Sequence, residues 1–360
     1  MTHFLRDILR QPDELSGVVS FLRNGARSQF DEAATAVRRA RHVYLTGIGS
    51  SWHAALNAKS LFHRQGVPVY AQDAAELLHL DLLPEESVLI ILSRTGQSAE
   101  IVNLLPKARQ AGATVIGVTN SETGALARGA QIPLVVPVRM DYGISVNTYS
   151  TLSAAAGVLA SAVLGSFNDS LAESLERAAG HAGQALAGWQ EQVAGSSWLS
   201  PHSACYFLAR STSLGSCHET RLLWEEGVKS PATAMGTGSF RHGPQEIVSQ
   251  DFRFGMWIDG RTMREQDLAV ARDLRTLGAS VMLIGQNLPA DGGDLVFQLP
   301  PIPPEWQFLI DIMPAQLVAE RLAGLSGVDC DSFRLCSYIV EDESGLLRGE
   351  ERPDAQARRG

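Results

Sequence analysis

Ser87-Val88-Leu89-Ile90-Ile91-Leu92 runs straight into Ser93-Arg94-Thr95-Gly96-Gln97-Ser98, and a helix-forming stretch covers 99–110. An apolar run without polar alternation suits a strand buried on both faces, as in a parallel sheet covered by helices. The turn behind it lies where open α/β sheets bind ligands, outside the carboxyl end of a strand. A helix start there offers unpaired backbone N–H groups and a positive dipole end. Gly96 permits close backbone approach, and Ser93, Thr95 and Ser98 add hydroxyl donors, which is what a phosphate monoester requires. The same hydroxyls would equally serve as plain helix caps. A second turn of the same kind, 42–46 leading through Gly47-Ile48-Gly49 into Ser50-Ser51 and a helix at 52–64, tips the reading toward phosphate. Ser50, Ser51, Ser93, Arg94, Thr95 and Ser98 are therefore the candidate phosphate-binding residues. No G-x-x-x-x-G-K-[ST] is present, and Gly47 and Gly49 lack the third glycine of a dinucleotide loop. A phosphorylated metabolite is expected rather than ATP or NAD.

Working outward, residues 1–40 read as helical, with one apolar-periodic stretch before Pro12 and another after it. Further strands are expected at 67–71, 114–118 and 132–136, alternating with helices. A long helical segment at 148–193 follows. The alternation then restarts with strands at 204–209, 252–258, 280–284 and 295–299 and helices at 219–226 and 306–325. Tyr44 and Tyr206 hold equivalent places in two strand–turn–helix units, 162 residues apart (206 − 44). The pattern predicts two tandem doubly wound, flavodoxin-like parallel-sheet α/β domains with an N-terminal helical extension. The expected division is 1–40 for the extension, 41–178 and 179–345 for the two domains, and 346–360 for a flexible tail.

Composition agrees with such a protein. The 360 residues are 45% apolar and 19% charged, enough to bury two cores. Thirty basic against 39 acidic residues give a net charge of −9 with no Lys/Arg run, which argues against nucleic acid or an anionic membrane as partner. The apolar stretch at 153–164 falls far short of the ~20 residues of a membrane span, and the N-terminus lacks a signal peptide's apolar core. The 4 cysteines show neither C-x-x-C nor zinc spacing, so a reducing cytoplasm is the expected setting, with no metal and no cofactor. Lysine occurs only as Lys59, Lys107 and Lys229.

In the trailing half, Glu219 and Glu226 stand seven apart on an expected helix, so one face would aim two carboxylates into one cleft. Next comes Gly236-Thr237-Gly238-Ser239-Phe240-Arg241-His242-Gly243-Pro244, a specially shaped loop around one histidine. A carboxylate and an imidazole could divide proton transfers at a sugar's carbonyl carbons and its ring oxygen or leaving group. A solvated acidic face and a structural histidine account for the same residues on composition alone. His218 reads as a helix-surface histidine, and Trp52, His53, Trp224 and Trp306 read as packing residues.

The sequence resembles the double sugar-isomerase (SIS) domain proteins. These include the isomerase half of glucosamine-6-phosphate synthase, glucosamine-6-phosphate deaminases of the same fold and fructosamine-type 6-phosphate deglycases. The ordered matches cover nearly the whole chain. Leu5 through Pro12 is similar to the family's E-I-x-E-Q-P, Gly49-Ser50-Ser51 to its G-T-S turn, and Ser93 through Ser98 to its S-Q-S-G-E-T loop. Gly143 through Thr148 is a degraded G-V-A-S-T-K. The Glu219–Glu226 helix, Phe240-Arg241-His242-Gly243-Pro244 (L-K-H-G-P), Met313 through Leu317 (P-x-Q-L) and Asp331-Ser332-Phe333-Arg334 (D-x-P-R) complete the series. The resemblance implies that Ser51, Ser93, Thr95 and Ser98 hold a sugar phosphate, that Glu226 is the acid/base at C1 and C2, and that Glu219 supports or relays protons. It also implies a homodimer in which His242 reaches the neighbouring subunit's site.

The departures sharpen the expectation. The family's synthase has an N-terminal glutaminase domain, whereas this sequence starts at the sugar half, so glutamine-dependent amination is not expected. Its Schiff-base lysine corresponds to Tyr338 here, and the lysine between its two glutamates corresponds to Leu223. The expected activity is a deaminase or deglycase on an amino- or amine-substituted sugar 6-phosphate. The alternatives are an aldose–ketose phosphosugar isomerase and a non-catalytic phosphosugar-binding regulator.

Overall fold

The computed structural model describes residues 1–64, 66–79, 83–201, 203–343 and 346. The expected tail at 346–360 thus lies, apart from Leu346, outside the described residues. Helices α1 (His3–Asn24) and α2 (Arg27–Arg39) precede β1 (His42–Thr46), α3 (Ser50–Arg64), β2 (Tyr70–Ala71), α4 (Ala74–His79), β3 (Ser87–Ser93) and α5 (Ala99–Gln110). Then follow β4 (Thr114–Thr119), α6 (Ala125–Gly129), β5 (Ile132–Val135), α7 (Asn147–Val163) and α8 (Asp169–Ala194). The trailing half holds β6 (Cys205–Ala209), α9 (Leu214–Leu223), β7 (Ala232–Gly236), α10 (Thr237–Phe240), β8 (Arg253–Trp257), α11 (Arg264–Thr276), β9 (Ser280–Gly285), β10 (Leu295–Gln298) and α12 (Met313–Leu325).

Two five-stranded parallel sheets result, ordered β2-β1-β3-β4-β5 and β7-β6-β8-β9-β10. The second order repeats the first, with strands six to ten standing for one to five. β3 is buried at every residue. Its period-2 side chains serve two cores: Val88, Ile90 and Leu92 join the layer of α3 and α7, while Leu89 and Ile91 pack with Ile101 and Leu104 of α5. Phe207, Met282 and Ile284 of the second sheet turn toward the same inner layer as Val88, whereas Leu208, Phe254 and Leu283 face α11. One face of each sheet therefore packs into a core that the two halves share. No helix among the described residues is long and apolar enough to cross a membrane.

Several local readings change in three dimensions. In the extension α1 runs straight through Pro12, and the break between its two helices falls instead at Gly25-Ala26, before α2. Gly183 of α8 faces that ring, where a Cβ would stand 3.2 Å from Pro12 Cβ. The helical segment at 148–193 breaks into α7 and α8, because Gly165 adopts φ +66° and the Asn168 side chain caps α8 at Leu171 N–H. The 178/179 division falls inside continuous α8. β7 escapes detection in the sequence, since Ala232-Thr233-Ala234-Met235-Gly236 is half-buried at a sheet edge and carries a weak strand pattern.

Candidate active site

Both hydroxyl turns end at one cleft of about 220 Å³, lined by Ser50, Ser51, Ser93, Arg94, Thr95 and Ser98. Their shape is fixed by glycines. A Cβ on Gly47 would lie 2.7 Å from the Ser51 carbonyl carbon, so only glycine lets β1 turn into α3. Gly96 has φ +65°, where L side chains are strained. Ser93 Oγ accepts from Gly96 N–H at 3.0 Å, and Thr95 Oγ1 accepts from Gln97 N–H at 3.3 Å. Ser98 caps α5 by position but makes no capping hydrogen bond, which leaves its hydroxyl for a ligand. The first amide of α5 is engaged differently: Ala99 N–H donates to the Val340 carbonyl at 3.0 Å, so the C-terminal segment crosses the helix start.

Arg94 holds that segment. Its Nη1 donates to the Gly143 carbonyl (3.1 Å) and Ser145 Oγ (3.0 Å), and its Nη2 donates to the Tyr338 carbonyl (2.8 Å). The guanidinium also lies 4.0 Å from the Tyr338 ring centre. Arg94 lines the cleft as the sequence suggested, yet most of its donors brace two loops over it. Tyr338 lines the cleft too, but its hydroxyl donates to the Asp141 carbonyl at 3.4 Å. The Asp141 carboxylate accepts from the Val146, Asn147 and Thr148 amides at 2.9–3.0 Å, anchoring the start of α7 and the Gly143 loop. No lysine lines this cleft.

Glu226 lines the same cleft as the hydroxyl turns. Burial, followed by the neighbouring Glu219, pushes its carboxyl up to about 7. Glu219 lies elsewhere than its spacing implied. After Leu223 the helix widens into a π turn over Trp224–Val228, which breaks the seven-residue register. Glu219 is fully buried and does not line the cleft; its Oε2 lies 2.7 Å from Nδ1 of His53, itself buried. Burial raises Glu219 and lowers His53, so it disfavours the charged form of each member of the pair. His53, read from the sequence as a packing residue, is thus the hydrogen-bond partner of Glu219. Half-buried His218 stacks 5.8 Å from the His53 ring, and burial lowers it to about 4.

Glu100 and Phe333 are among the cleft residues that the sequence reading did not single out. Glu100, in the first turn of α5, has a buried Oε2 without a partner, an acceptor free for a sugar hydroxyl. Its position there reads as ordinary dipole compensation. Phe333 supplies an apolar wall. His242, on the turn after α10, is exposed and does not line the cleft within one chain. Lys229 ends the π turn with φ +56°, and its Nζ donates to the carbonyls of Glu226 and Ser332. Among the described residues no three His, Cys, Asp or Glu side chains are placed to hold a metal ion.

Hydroxyl-bearing turns at the carboxyl ends of a parallel sheet, facing a carboxylate of elevated pKa, make up the candidate site of a doubly wound α/β protein. Residues 36–163 match the family model of the SIS domain. Over 95% of its length the chain is 24% identical to a glutamine–fructose-6-phosphate aminotransferase (isomerizing) from Pyrobaculum aerophilum, of which it spans 58%. In fold it is similar to glucosamine-6-phosphate deaminase from Thermotoga maritima (TM-score 0.78, 24% identity, 94% of this chain and 99% of that one). It is likewise similar to tagatose-6-phosphate ketose/aldose isomerase from Escherichia coli (TM-score 0.79, 22% identity, 92% and 94%).

Proposed function

We propose that this chain is a cytoplasmic, cofactor-free enzyme built of two SIS-type domains. It releases an amine from an amino- or amine-substituted sugar 6-phosphate, as a deaminase or deglycase. The observation that carries the reading is the placement of the Glu226 carboxyl, raised to about 7, in one cleft with the hydroxyls of Ser50, Ser51, Ser93, Thr95 and Ser98. The turns hold the phosphate, which fixes the sugar chain and presents C1 and C2 to Glu226. A carboxyl poised near neutrality can take a proton from one carbon and return it to the other. The Glu219–His53 pair sits behind Glu226 as the proton-relaying support. His242 comes from a second copy of the chain, in a homodimer, and protonates the leaving nitrogen or opens the ring. Its exposure in the single chain supports this reading. With no lysine in the cleft, chemistry through a protein-bound imine has no nucleophile there, whereas carboxylate–imidazole chemistry keeps its groups.

The test is amine release from a panel of amino-sugar and N-substituted sugar 6-phosphates. Glu226→Gln and His242→Ala should each lose about 10²–10⁴-fold in kcat. Ketose–aldose exchange without nitrogen release would replace the proposal with an isomerase. Phosphosugar-dependent thermal stabilisation with no turnover would reduce it to binding.

A further inference from the structure

Lys229 holds a backbone conformation that its hydrogen-bonded main chain does not explain. It follows the π turn of Trp224–Val228 with φ +56° and ψ +33°, the left-handed region where a Cβ is crowded and glycine is the ordinary occupant. A non-glycine residue kept in that region is the kind of outlier that clusters at working sites. The main chain needs no lysine there. The amides of Lys229 and Ser230 both donate to the Trp224 carbonyl, the second at 3.1 Å. The side chain alone supplies the two bonds from Nζ, to the carbonyls of Glu226 and Ser332, the latter at 2.8 Å. An exposed lysine ordinarily leaves its strongly hydrated ammonium in water. This one is committed to two main-chain oxygens, one of them 103 residues further along the chain.

Those oxygens belong to the two pieces that meet around the Glu226 end of the cleft. The π turn that carries Glu226 is packed on its inner side. Trp224 is fully buried with its ring edge against Phe207, centres 4.8 Å apart, and a Cβ on Gly227 would stand 3.2 Å from Ile144 Cδ1. Ser332 leads into the C-terminal segment, of which Phe333, Cys336 and residues 337–340 line the cleft. The far end of that segment is moored to the leading half, by Arg94 at the Tyr338 carbonyl and by the Ala99 amide at the Val340 carbonyl. Its near end is moored by Lys229 to the turn that carries Glu226. One ammonium therefore sets the spacing between the main chain of Glu226 and the segment that walls the cleft.

We infer that Lys229 is a positioning residue, which holds the Glu226 carboxyl at the reacting carbons by clipping its turn to the C-terminal segment. The inference rests on the proposed role of Glu226 as proton carrier, and it holds whether amine release or isomerisation follows. Proton transfer between two carbons tolerates little displacement, since about 1 Å costs on the order of 10²-fold in rate. The hydroxyls of Ser50, Ser51, Ser93, Thr95 and Ser98 belong to the leading half and do not depend on the clip. Loss of the clip should therefore fall on kcat and spare the phosphate cradle.

The experiment compares the full chain with Lys229→Met, Lys229→Gly and Lys229→Arg, on whichever sugar 6-phosphate of the panel the parent turns over fastest. It reads kcat, KM, Tm and the affinity for glucose 6-phosphate by calorimetric titration. Lys229→Met and Lys229→Gly should each lose at least about tenfold in kcat, with KM and glucose 6-phosphate affinity within about threefold of the parent. Lys229→Arg, which restores donors for both carbonyls, should recover most of the lost kcat. Lys229→Gly should unfold at a higher temperature than Lys229→Met, because glycine relieves the left-handed backbone. A kcat within threefold of the parent in Lys229→Met overturns the inference. So does a tenfold loss of glucose 6-phosphate affinity in parallel with kcat, a failure of Lys229→Arg to recover activity, or a Lys229→Gly variant no more stable than Lys229→Met. Each of these leaves the role of Glu226 standing, whereas absence of both amine release and isomerisation in the parent overturns that role and the clip together.

Discussion

Gly124 offers the sharpest test of how the phosphate turn is built. It precedes α6, and a Cβ placed on it would lie 2.2 Å from the Thr95 carbonyl oxygen, 3.1 Å from the Thr95 carbonyl carbon and 3.3 Å from Gly96 Cα. An ordinary carbon–oxygen contact is 3.2 Å or more, so Gly124→Ala must drive the backbone of 95–96 back by roughly 1 Å, because nothing softer than main chain stands opposite. Overpacking of this kind costs about 1–3 kcal/mol, and displacement of a positioned ligand by 1 Å costs about 10²-fold in rate. Calorimetric titration with glucose 6-phosphate reads the cradle directly, and thermal unfolding reads the stability. The variant should lose at least tenfold in sugar-phosphate affinity and unfold at a lower temperature, roughly 2–4 °C for each kcal/mol. Gly188→Ala is the control. Nothing lies within 4 Å of a Cβ on this exposed α8 position, so alanine should stabilise the protein by about 0.5–1 kcal/mol through helix propensity. Should Gly124→Ala bind glucose 6-phosphate as tightly as the parent at an undiminished Tm, the rigid-turn account is wrong.

Other outcomes follow from the same geometry. Arg94→Met removes the donors that tie Tyr338 and the Gly143 loop over the cleft, so the Ala99 amide, now bonded to the Val340 carbonyl, should exchange with deuterium at least tenfold faster. Unchanged exchange at Ala99 would show that the segment is held elsewhere. Asp311 is fully buried beside Ser216, Ser213 and Gln307, and burial raises its carboxyl to about 7. A folded-state pKa above the unfolded value means the native protein holds the extra proton between about pH 4 and 7. Stability should therefore fall as pH rises through that window, by up to about 1.4 kcal/mol per unit. Asp311→Asn should flatten the decline in urea titrations, and a decline of equal slope in the variant would refute the assignment. The rate of amine release should rise with pH through about 7, following deprotonation of Glu226, and Glu226→Gln should abolish that limb.

How much of this was legible beforehand depends on sequence distance. The hydrogen bonds of the turn are local: Ser93 Oγ accepts from the Gly96 amide and Thr95 Oγ1 from the Gln97 amide, so a short window of sequence was enough to place it, whereas its packing against Gly124 was not legible there. The alternation of strands and helices predicted parallel sheets for the same reason, since apolar periodicity is a property of contiguous residues. The edge strand β7 was missed because small side chains on a half-buried edge carry little pattern.

The amino-acid sequence by itself determined the two sheets, the hydroxyl turns at the carboxyl end of the first, and a carboxylate–histidine pair as the chemistry to look for. Only the tertiary structure decided what each group faces. His53 meets Glu219 across 166 residues, and Arg94 meets Tyr338 across 244. A π turn of five residues sends Glu226 into the cleft while Glu219 is buried behind it. These are packing outcomes of the completed core, because a side chain's surroundings, and with them its proton affinity, belong to whatever the rest of the chain brings next to it.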